Sequence, residues 1–341
     1  MKLVIQIPCL NEEENLPQTL ADLPRELPGI DSIEILVIDD GSTDRTVEVA
    51  KEHGADHVLS LITNRGLATA WARGVAYALS IGADMVVNTD ADNQYCGEDI
   101  AKLVQPVVTG KAEIVVGSRP VIDHPEFGLV KKALQLLGSW TLRKLSQTAV
   151  PDAASGFRCF SREACQRLFV YSKFSYCMET LIQAGNTGMR VVSVSIRVNP
   201  KTRESRLFRS IPQYVYKQAT TMLSLFVLYR PGMLFFGSSL VFFGIALMLG
   251  LRFLALTYWL EPDFGRTYLP SLVLLTVCAT MGTILGFLAV VGQLLKAIRM
   301  QLEAVISHQR ASGFQRPDVI ATDGVVWVRS YDSVSDRLPQ S

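Results

Sequence analysis

Two aspartates and a glutamine occupy alternate positions at the end of an apolar run. Residues 85–95 read MVVNTDADNQY, which places Asp90, Asp92 and Gln94 two residues apart. Because alternate residues of an extended chain share one face, these side chains can present three oxygen donors to one hard cation, which commonly holds a diphosphate. Acidic turns after strands also occur for structural reasons, so this triplet gains weight only from its surroundings.

A second acidic pair closes another apolar run. Asp39 and Asp40 precede Gly41 and Ser42. A helix N-cap with an acidic first turn would contribute only about 1 kcal/mol and does not require two adjacent acids. Carboxylates at a strand end can accept hydrogen bonds from ribose hydroxyls or a base N–H. The chain contains neither GxxxxGK(S/T) nor GxGxxG, so a metal ion and basic side chains would have to neutralise the phosphates of such a ligand.

A third acidic segment follows the first apolar run, where residues 8–14 read PCLNEEE. Asn11 with Glu14 three residues later predicts a capping box at the start of a helix. That role leaves Glu12 and Glu13 unexplained.

All three segments follow strand patterns that alternate with helix patterns. This alternation predicts an α/β fold with a mostly parallel sheet, in which ligands bind beyond the carboxyl ends of the strands. The predicted strands are 3–7, 33–38, 58–61, 85–88 and 114–116, and the predicted helices between them are 15–23, 46–53 and 67–80. The acidic segments therefore fall where such a sheet binds its ligands.

The apolar surplus of the chain lies towards its carboxyl end. The 341 residues are 49% hydrophobic and 19% charged, which is more apolar sequence than a soluble core requires. Residues 233–251 and 267–295 contain no charged side chain, and each run can cross the roughly 30 Å hydrocarbon layer as a helix. Two such runs joined by a short charged segment are not typical of buried core helices, so they predict a transmembrane hairpin with spans at 233–251 and 269–295.

Basic residues predict the orientation of this hairpin. Residues 201–230 contain six lysines and arginines but one glutamate, and Lys296 and Arg299 follow the second run. The positive-inside rule then places both ends of the hairpin in the cytoplasm. The amino-terminal strand has neither the length nor the cleavage site of a signal peptide, and the six cysteines form no CxxC pair, which fits a reducing compartment. We expect an integral protein of the cell (inner) membrane.

Four segments follow from these patterns. Residues 1–209 are predicted to form a cytoplasmic α/β domain, 210–231 an interfacial amphipathic helix, 232–296 the transmembrane hairpin and 297–341 a cytoplasmic tail.

Basic side chains near the predicted membrane offer a site for an anion. They are Lys131, Lys132, Arg143, Lys144 and the run 197–209. A lipid phosphate would need such cationic donors close to the bilayer. The alternative is simple attraction to anionic headgroups, worth about 1 kcal/mol per residue. We expect a minority of these cations to bind a phosphate.

Six motifs occur in a characteristic order within residues 3–210. They are PCLNEEENLP, VIDDGSTD, NRGLATAWARG, DADNQY, VVGSR and DAASGFR. On these motifs the chain resembles glycosyltransferase family 2, and within it the polyprenyl-phosphate branch of dolichol- or undecaprenyl-phosphate sugar synthases. The resemblance implies a GT-A fold and an inverting transfer of a hexose from a UDP- or GDP-sugar to a polyprenyl phosphate. It also implies Mg2+ or Mn2+ as the cofactor.

The same resemblance implies roles for individual residues. The catalytic residues would be Asp92, Asp152 and Arg119. The donor would be bound by Pro8, Glu12, Asp39, Asp40, Ser42, Asp90, Ala91, Asp92 and Arg119, and the metal by Asp90, Asp92 and Gln94. The acceptor phosphate would be bound by Lys131, Arg143, Ser155, Arg158, Ser205 and Arg206. For Ser155 and Arg158 the alternative is that they only stabilise their own loop.

The acceptor side of the resemblance leaves choices open. Asp152 could orient the acceptor or act as a base, although a lipid phosphate is already largely ionised near pH 7. Where the family often has an arginine and a glycine after its last strand, this chain has Pro200 and Arg203. Lys201 or Arg197 would then have to supply the missing charge.

Other functions share part of this pattern. A family 2 enzyme with a glycolipid or polysaccharide acceptor would have similar soluble motifs, but the sequence lacks the QxxRW motif and the further spans of a processive synthase. A non-catalytic membrane-anchored binding protein would not need acids at both Asp90 and Asp92. Gly282 and Gly286 form a GxxxG motif, which favours packing within the hairpin and leaves homo-oligomers open. A nucleic-acid partner is not expected at a net charge of +1.

Overall fold

A mixed, mostly parallel β-sheet organises the first of two units in this chain. The structure, a computed structural model, describes residues 1–119, 146, 148, 150–170, 176–199, 220, 223–224, 226–260, 269–311, 319–322 and 325–328. The first unit comprises Met1–Tyr216 and Val305–Ser341, and the second comprises Lys217–Ala304.

The strands confirm the predicted mostly parallel sheet. They are β1 Lys2–Cys9, β2 Ser32–Asp39, β3 His57–Leu61, β4 Met85–Asn88, β5 Ile114–Ser118, β6 Arg158–Ser161, β7 Val191–Ser195, β8 Val319–Thr322 and β9 Val325–Val328. Their order is β7-β5-β6-β4-β1-β2-β3-β9-β8. β1 pairs in parallel with β2 and β4, whereas β6 runs antiparallel to β4 and β5. All five strands predicted from periodicity are present as β1 to β5.

Helices cover both faces of this sheet. They are α1 Leu16–Asp22, α2 Thr46–Glu52, α3 Leu67–Ser80, α4 Ile100–Val108, α5 Arg162–Arg167 and α6 Tyr176–Asn186. The three predicted helices are confirmed as α1 to α3. In α3, buried Ala68, Trp71, Val75 and Ala78 recur every three or four residues, which is the spacing that turns one face of a helix towards a core.

The two faces of the sheet carry different cores. On one face, Leu3, Ile5 and Ile7 of β1 pack in an aliphatic cluster with residues of β2 and β4. On the other face, the rings of Trp71 and Tyr176 stack with centroids 4.9 Å apart. Strands buried on both sides are near-continuous apolar runs, as expected for a parallel sheet between helices.

Two long apolar helices make up most of the second unit. They are α7 Pro231–Ala255, which is followed by a π-helical turn Leu256–Leu260, and α8 Leu269–Ala311. Their apolar side chains are largely exposed, with Phe236 64%, Met248 71% and Phe287 68% accessible. A soluble protein would bury such side chains, so these helices are the candidate membrane spans among the described residues. α8 continues to Ala311, beyond the predicted end of the hairpin at residue 296.

Small residues allow the two apolar helices to pack closely. The Ser239 hydroxyl donates a hydrogen bond of 2.7 Å to the carbonyl oxygen of Gly282. A Cβ at Gly286 would lie 3.3 Å from the Ser239 hydroxyl, and one at Gly282 would lie 3.1 Å from the Phe243 ring. The prediction that this GxxxG motif packs the hairpin internally is therefore confirmed.

The carboxyl-terminal segment returns to the sheet of the first unit. β9 pairs in parallel with β3, from Val58 opposite Val325 to Leu61 opposite Val328. β8 pairs antiparallel with β9. These two strands therefore cover the lateral side of the sheet that β3 would otherwise expose. The tail predicted at 297–341 therefore contributes two strands to the sheet.

Candidate active site

Acidic groups and one arginine gather at the carboxyl edge of the sheet. Since β1, β2 and β4 are parallel neighbours, the loops that follow them open on the same edge. β5 points in the same direction, because it and β4 are both antiparallel to β6. The residues so placed are Glu12 after β1, Asp39 and Asp40 at the end of β2, Asp90 and Asp92 after β4, and Arg119 after β5.

Asp90 and Asp92 lie close enough to perturb one another. Burial and the Asp92 carboxylate raise the pKa of Asp90 to about 7, and Glu12 adds to this shift. Arg119 acts in the opposite direction. The Gln94 backbone N–H donates to Asp92 Oδ1 at 3.3 Å and closes the turn. A hard divalent cation would relieve the repulsion between the two carboxylates, and the Gln94 amide offers a further oxygen.

The donor set indicates what kind of metal these residues fit. Within the described residues, no three His, Cys, Asp or Glu side chains form a cluster able to hold a metal ion. Mg2+ usually takes one or two carboxylates and completes its coordination with substrate phosphates and water. Residues 90–94 therefore fit a cation that is shared with a phosphate ligand, rather than a metal enclosed by protein.

The loop before β6 packs directly against Asp90. A Cβ at Gly156 would lie 3.0 Å from Asp90 Oδ1 and 3.1 Å from the Tyr176 hydroxyl oxygen, so any side chain at this position would crowd both groups. The Gly156 N–H donates to the Tyr95 hydroxyl at 3.3 Å, and Tyr95 in turn hydrogen-bonds the Asp90 side chain. The DAASGFR and DADNQY motifs thus form one structure around this carboxylate.

Arg119 and Asp152 form an ion pair in which the carboxylate is buried and the arginine side chain is 23% exposed. Arg119 donates from Nε to Asp152 Oδ2 at 2.6 Å and from Nη2 to Asp152 Oδ1 at 3.1 Å. Burial alone would lower the pKa of Arg119, but Tyr95 and Asp152 outweigh it and raise that pKa above its usual value. The arginine therefore stays charged beside Asp90. Asp152, which was predicted as a base or an acceptor-orienting group, holds this guanidinium in place.

The loops after β1 and β2 are tied to each other. The Asn11 N–H donates to the Ser42 hydroxyl at 2.9 Å, and the Thr43 N–H donates to Asn11 Oδ1 at 2.8 Å. The Glu12 N–H donates to the Thr46 hydroxyl at 2.9 Å. The predicted capping box of Asn11 and Glu14 is wrong, because α1 begins at Leu16 and Asn11 adopts a left-handed φ of 55° to reach the other loop.

Asp39 and Asp40 each bind two groups of the protein. Asp39 accepts from the Ser42 N–H at 2.9 Å and from the Ser60 hydroxyl at 2.7 Å. Asp40 accepts from the N–H groups of Arg65 and Gly66, both at 2.8 Å, and its burial raises its pKa. Asp40 therefore fixes residues 65 and 66 before α3, and Asp39 fixes Ser42, so the two acids shape the edge of the predicted nucleoside pocket.

The two smaller residues predicted to contact the donor are buried beside these loops. Pro8 lies in β1 opposite Ile38 of β2. Ala91 is 5% exposed, and its carbonyl oxygen accepts a 2.8 Å hydrogen bond from the Thr19 hydroxyl. Both residues lie in the segments that carry the acidic groups.

Arg158 is fully buried and bound by the protein. Its Nε donates to the Ser155 carbonyl at 2.8 Å, its Nη1 to the Cys177 carbonyl at 2.7 Å and its Nη2 to the Ala153 carbonyl at 2.7 Å. These contacts support the alternative that Arg158 stabilises its own loop. They do not support the expected role in binding the acceptor phosphate. Ser155 is also buried, and its hydroxyl accepts from the Phe157 N–H at 3.3 Å.

A buried polar network beneath the site was not predicted. Gln6 Nε2 donates to Asn88 Oδ1 at 3.0 Å, and Asn88 Nδ2 donates to the Tyr176 hydroxyl at 2.7 Å and the Gly156 carbonyl at 3.1 Å. These residues link β1, β4 and α6 to the glycine that contacts Asp90. The signal in the sequence was a glutamine and an asparagine inside apolar strands, where a polar residue needs a partner.

The remaining predicted acceptor residues lie outside the described part of the chain. These are Lys131, Arg143, Ser205 and Arg206, together with the neighbouring Lys132, Lys144 and Lys201. Arg197 is described, and it pairs with Asp99 and Glu98 at 2.8 and 2.9 Å rather than supplying a separate cation.

Comparison with known proteins identifies the family of this chain. The model of the family described as "Glycosyl transferase family 2" matches residues 4–169. The UDP-N-acetylglucosamine--dolichyl-phosphate N-acetylglucosaminyltransferase of Methanococcus voltae is 30% identical over 56% of this chain and 83% of its own length. The undecaprenyl-phosphate mannosyltransferase of Micrococcus luteus is 30% identical over 58% of this chain and 83% of its own length. The chain belongs to glycosyltransferase family 2, and it is a glycosyltransferase.

Solved structures support the fold. A crystal structure of glucosyl-3-phosphoglycerate synthase from Mycobacterium tuberculosis with phosphoglyceric acid aligns with a TM-score of 0.52. The alignment covers 65% of this chain and 79% of the synthase at 22% identity, and it shows that the fold is GT-A. The same synthase has also been solved with Mn2+ and UDP.

Proposed function

We propose that this chain transfers a sugar, with inversion, from a UDP- or GDP-sugar to a polyprenyl phosphate at the cytoplasmic face of the cell membrane, using Mg2+ or Mn2+. The observation that carries the proposal is the Asp90–Asp92 pair beside Arg119 at the carboxyl edge of a GT-A sheet. The names of the relatives support the lipid acceptor. The Mn2+ and UDP of the mycobacterial synthase support the metal and the kind of donor.

The donor side of the reaction follows from the charges at the sheet edge. Asp90, Asp92 and Gln94 would hold the cation, which when bound supplies positive charge to the donor diphosphate. Arg119, kept charged and oriented by Asp152, would stabilise the negative charge that develops on the departing nucleoside diphosphate. The nucleoside would lie over the interlocked loops after β1 and β2.

The acceptor side requires positioning more than proton transfer. An acceptor phosphate oxygen would form a bond to the anomeric carbon while the bond from that carbon to the diphosphate breaks. Because a phosphate monoester is largely ionised near pH 7, the step needs little help from a base. We therefore assign Asp152 to the orientation of Arg119, and catalysis to placement and electrostatics.

The carboxyl-terminal strand supports a membrane hairpin with both ends on one side. β9 pairs with β3, and Arg310 at the end of α8 donates to the Leu168 carbonyl at 3.0 Å. Segments before and after the apolar helices thus fold together, which requires an even number of membrane crossings. Two spans satisfy this, and the basic residues at 201–230 favour the cytoplasmic side.

A transfer assay with one matched pair of variants tests the proposal. Purified protein would be incubated with undecaprenyl phosphate, Mg2+ or Mn2+ and a panel of UDP- and GDP-sugars. Asp92→Asn removes a carboxylate after β4, and Asp84→Asn removes one before it, where Oδ2 accepts from the Lys2 N–H at 2.8 Å. We expect a metal-dependent lipid-linked sugar that is lost in Asp92→Asn and retained in Asp84→Asn.

Two results would contradict this function. Transfer to a glycolipid or a polysaccharide, with none to any polyprenyl phosphate, would assign the chain to another family 2 activity. Absence of transfer to every acceptor, together with unchanged Mn2+ binding in Asp92→Asn, would remove the assigned metal site.

A further inference from the structure

Residues 196–199, named the strap here, connect two parts of the proposed site. The strap begins where β7 ends and leads into the basic residues Lys201, Arg203, Arg206 and Arg209. Its first residue, Ile196, donates its N–H to the Ser118 carbonyl at 3.1 Å, next to Arg119. The other strap residues contact the segment that carries the proposed metal ligands.

Asn199 holds the turn that presents Gln94. Its Nδ2 donates to the Asn93 carbonyl at 3.0 Å, and its backbone N–H donates to the Gln94 carbonyl at 2.9 Å. Val198 forms an antiparallel bridge with Tyr95. Asn93 has a left-handed φ of 52°, a conformation that costs free energy in an L residue and needs support from its surroundings.

Arg197 anchors the strap to the same segment. Its N–H and its guanidinium bind the Asp99 carboxylate, with Nε 3.1 Å and Nη2 2.8 Å from Oδ1. Asp99 is fully buried, whereas the Arg197 side chain is 57% exposed, so only the carboxylate of this pair is shielded from water. Two guanidinium donors on one carboxylate oxygen, with the backbone N–H on the other, fix direction as well as distance.

We propose that Asn199 and Arg197 are positioning residues for the metal site: they fix the turn of residues 93–95, and so Gln94, relative to the segment that leads into the basic run. This inference rests on the proposed function, because it assigns the cation to Asp90, Asp92 and Gln94. Neither Arg197 nor Asn199 is a proposed ligand of the cation. Both lie about a hundred positions along the chain from residues 90–94.

Mn2+ binding measured by electron paramagnetic resonance tests this role without any turnover. The full chain would be titrated with Mn2+ as parent, Asn199→Asp, Arg197→Met and Arg190→Met. Asn199→Asp keeps the size of the side chain and loses its donors. Arg190 comes just before β7, whereas Arg197 comes just after it. The Arg190 Nε lies 3.8 Å from Glu113, which precedes β5 at the amino edge of the sheet. Arg190→Met is therefore the matched control, because it removes an ion-paired arginine away from the proposed site.

We expect Asn199→Asp and Arg197→Met to bind Mn2+ about tenfold more weakly than the parent, as outer-shell changes at metal sites do. Arg190→Met should bind like the parent. The kcat at saturating Mn2+ should stay near the parent value in both strap variants, because the ligands themselves remain. Unchanged Mn2+ affinity in both strap variants would overturn the proposal, and so would an equal loss in Arg190→Met.

Asp92→Asn separates this inference from the proposed function. If Asp92→Asn abolishes Mn2+ binding while both strap variants bind normally, the metal site stands and the strap has no positioning role. If Asp92→Asn binds Mn2+ like the parent, the assigned metal site is wrong and the strap inference falls with it.

Discussion

The two edges of the parallel sheet treat charge in opposite ways. At the amino edge, Glu34 Oε1 lies 2.7 Å from Lys2 Nζ, and Glu34 Oε2 lies 2.8 Å from His57 Nε2. Burial would raise the pKa of Glu34, but the hydrogen bonds from these partners outweigh it and lower that pKa. At the carboxyl edge, burial and a second carboxylate raise the pKa of Asp90 to about 7.

This difference distinguishes charges that are paired within the protein and stabilise the fold from charges that a bound ligand or metal ion would neutralise. The acid of the amino edge is matched by a lysine and a histidine from the two neighbouring strands. At the carboxyl edge the Asp92 and Glu12 carboxylates repel that of Asp90, and Arg119 offsets part of this repulsion. A fold tolerates such repulsion where a bound group relieves it, which is why perturbed carboxylates mark functional sites.

Breaking the ion pair of the carboxyl edge should separate activity from stability. Arg119→Met should lower kcat by about 10²- to 10³-fold, because it removes the cation beside the leaving group. It should also lower the free energy of unfolding by about 3 to 5 kcal/mol, because Asp152 stays buried and unpaired. Steady-state kinetics and denaturant unfolding measure the two effects.

The double variant Arg119→Met/Asp152→Asn is the control. It should recover most of the stability and none of the kcat. Recovery of the kcat would contradict the assigned role of Arg119.

Adding one methyl group beside Asp90 should weaken the site. In Gly156→Ala the new Cβ would lie 3.0 Å from Asp90 Oδ1, and we expect the carboxylate to shift and Mn2+ affinity to fall about tenfold. Gly244→Ala adds the same methyl group where nothing lies within 4 Å, and it should bind Mn2+ like the parent. Equal Mn2+ affinities in the two variants would show that the loop does not constrain Asp90.

The two edges should respond differently to pH. Because the folded state holds the Asp90 proton more tightly than the unfolded state, Asp90 makes the metal-free protein less stable as pH rises from about 4 to about 7. This loss is a few kcal/mol at most. Mn2+ affinity should fall below about pH 7 because protons compete for the same carboxylate.

Asp90→Asn should remove this pH dependence of unfolding. Comparing the unfolding curves of the metal-free parent and Asp90→Asn between about pH 5 and about pH 8 isolates the effect from other titrating groups. Parallel pH profiles would contradict the raised pKa.

Disrupting the amino edge should affect stability alone. Glu34→Gln weakens the partly exposed ion pair with Lys2 and the hydrogen bond with His57, so the expected loss is about 1 kcal/mol of unfolding free energy. The kcat should remain that of the parent. A loss of activity as large as that of Arg119→Met would end the distinction between the two edges.

Local patterns in the sequence were sufficient for much of the architecture. Apolar periodicity predicted β1 to β5 and α1 to α3, since each of these elements buries a face that repeats along a short stretch of chain. The two long apolar helices follow from length and composition in the same way. The acidic segments could be placed on one edge because parallel strands end together.

Contacts between distant residues explain what the patterns missed. β6 pairs with β4 through residues some seventy positions apart, and the strap meets residues 93–99 across about a hundred. Asn11 looked like a local cap, and for Arg158 the sequence left open whether it binds a phosphate or its own loop. A polar side chain can cap a helix, bind a neighbouring loop or bind a ligand, depending on which backbone groups lie beside it in the folded chain. Spacing along the sequence does not determine these neighbours.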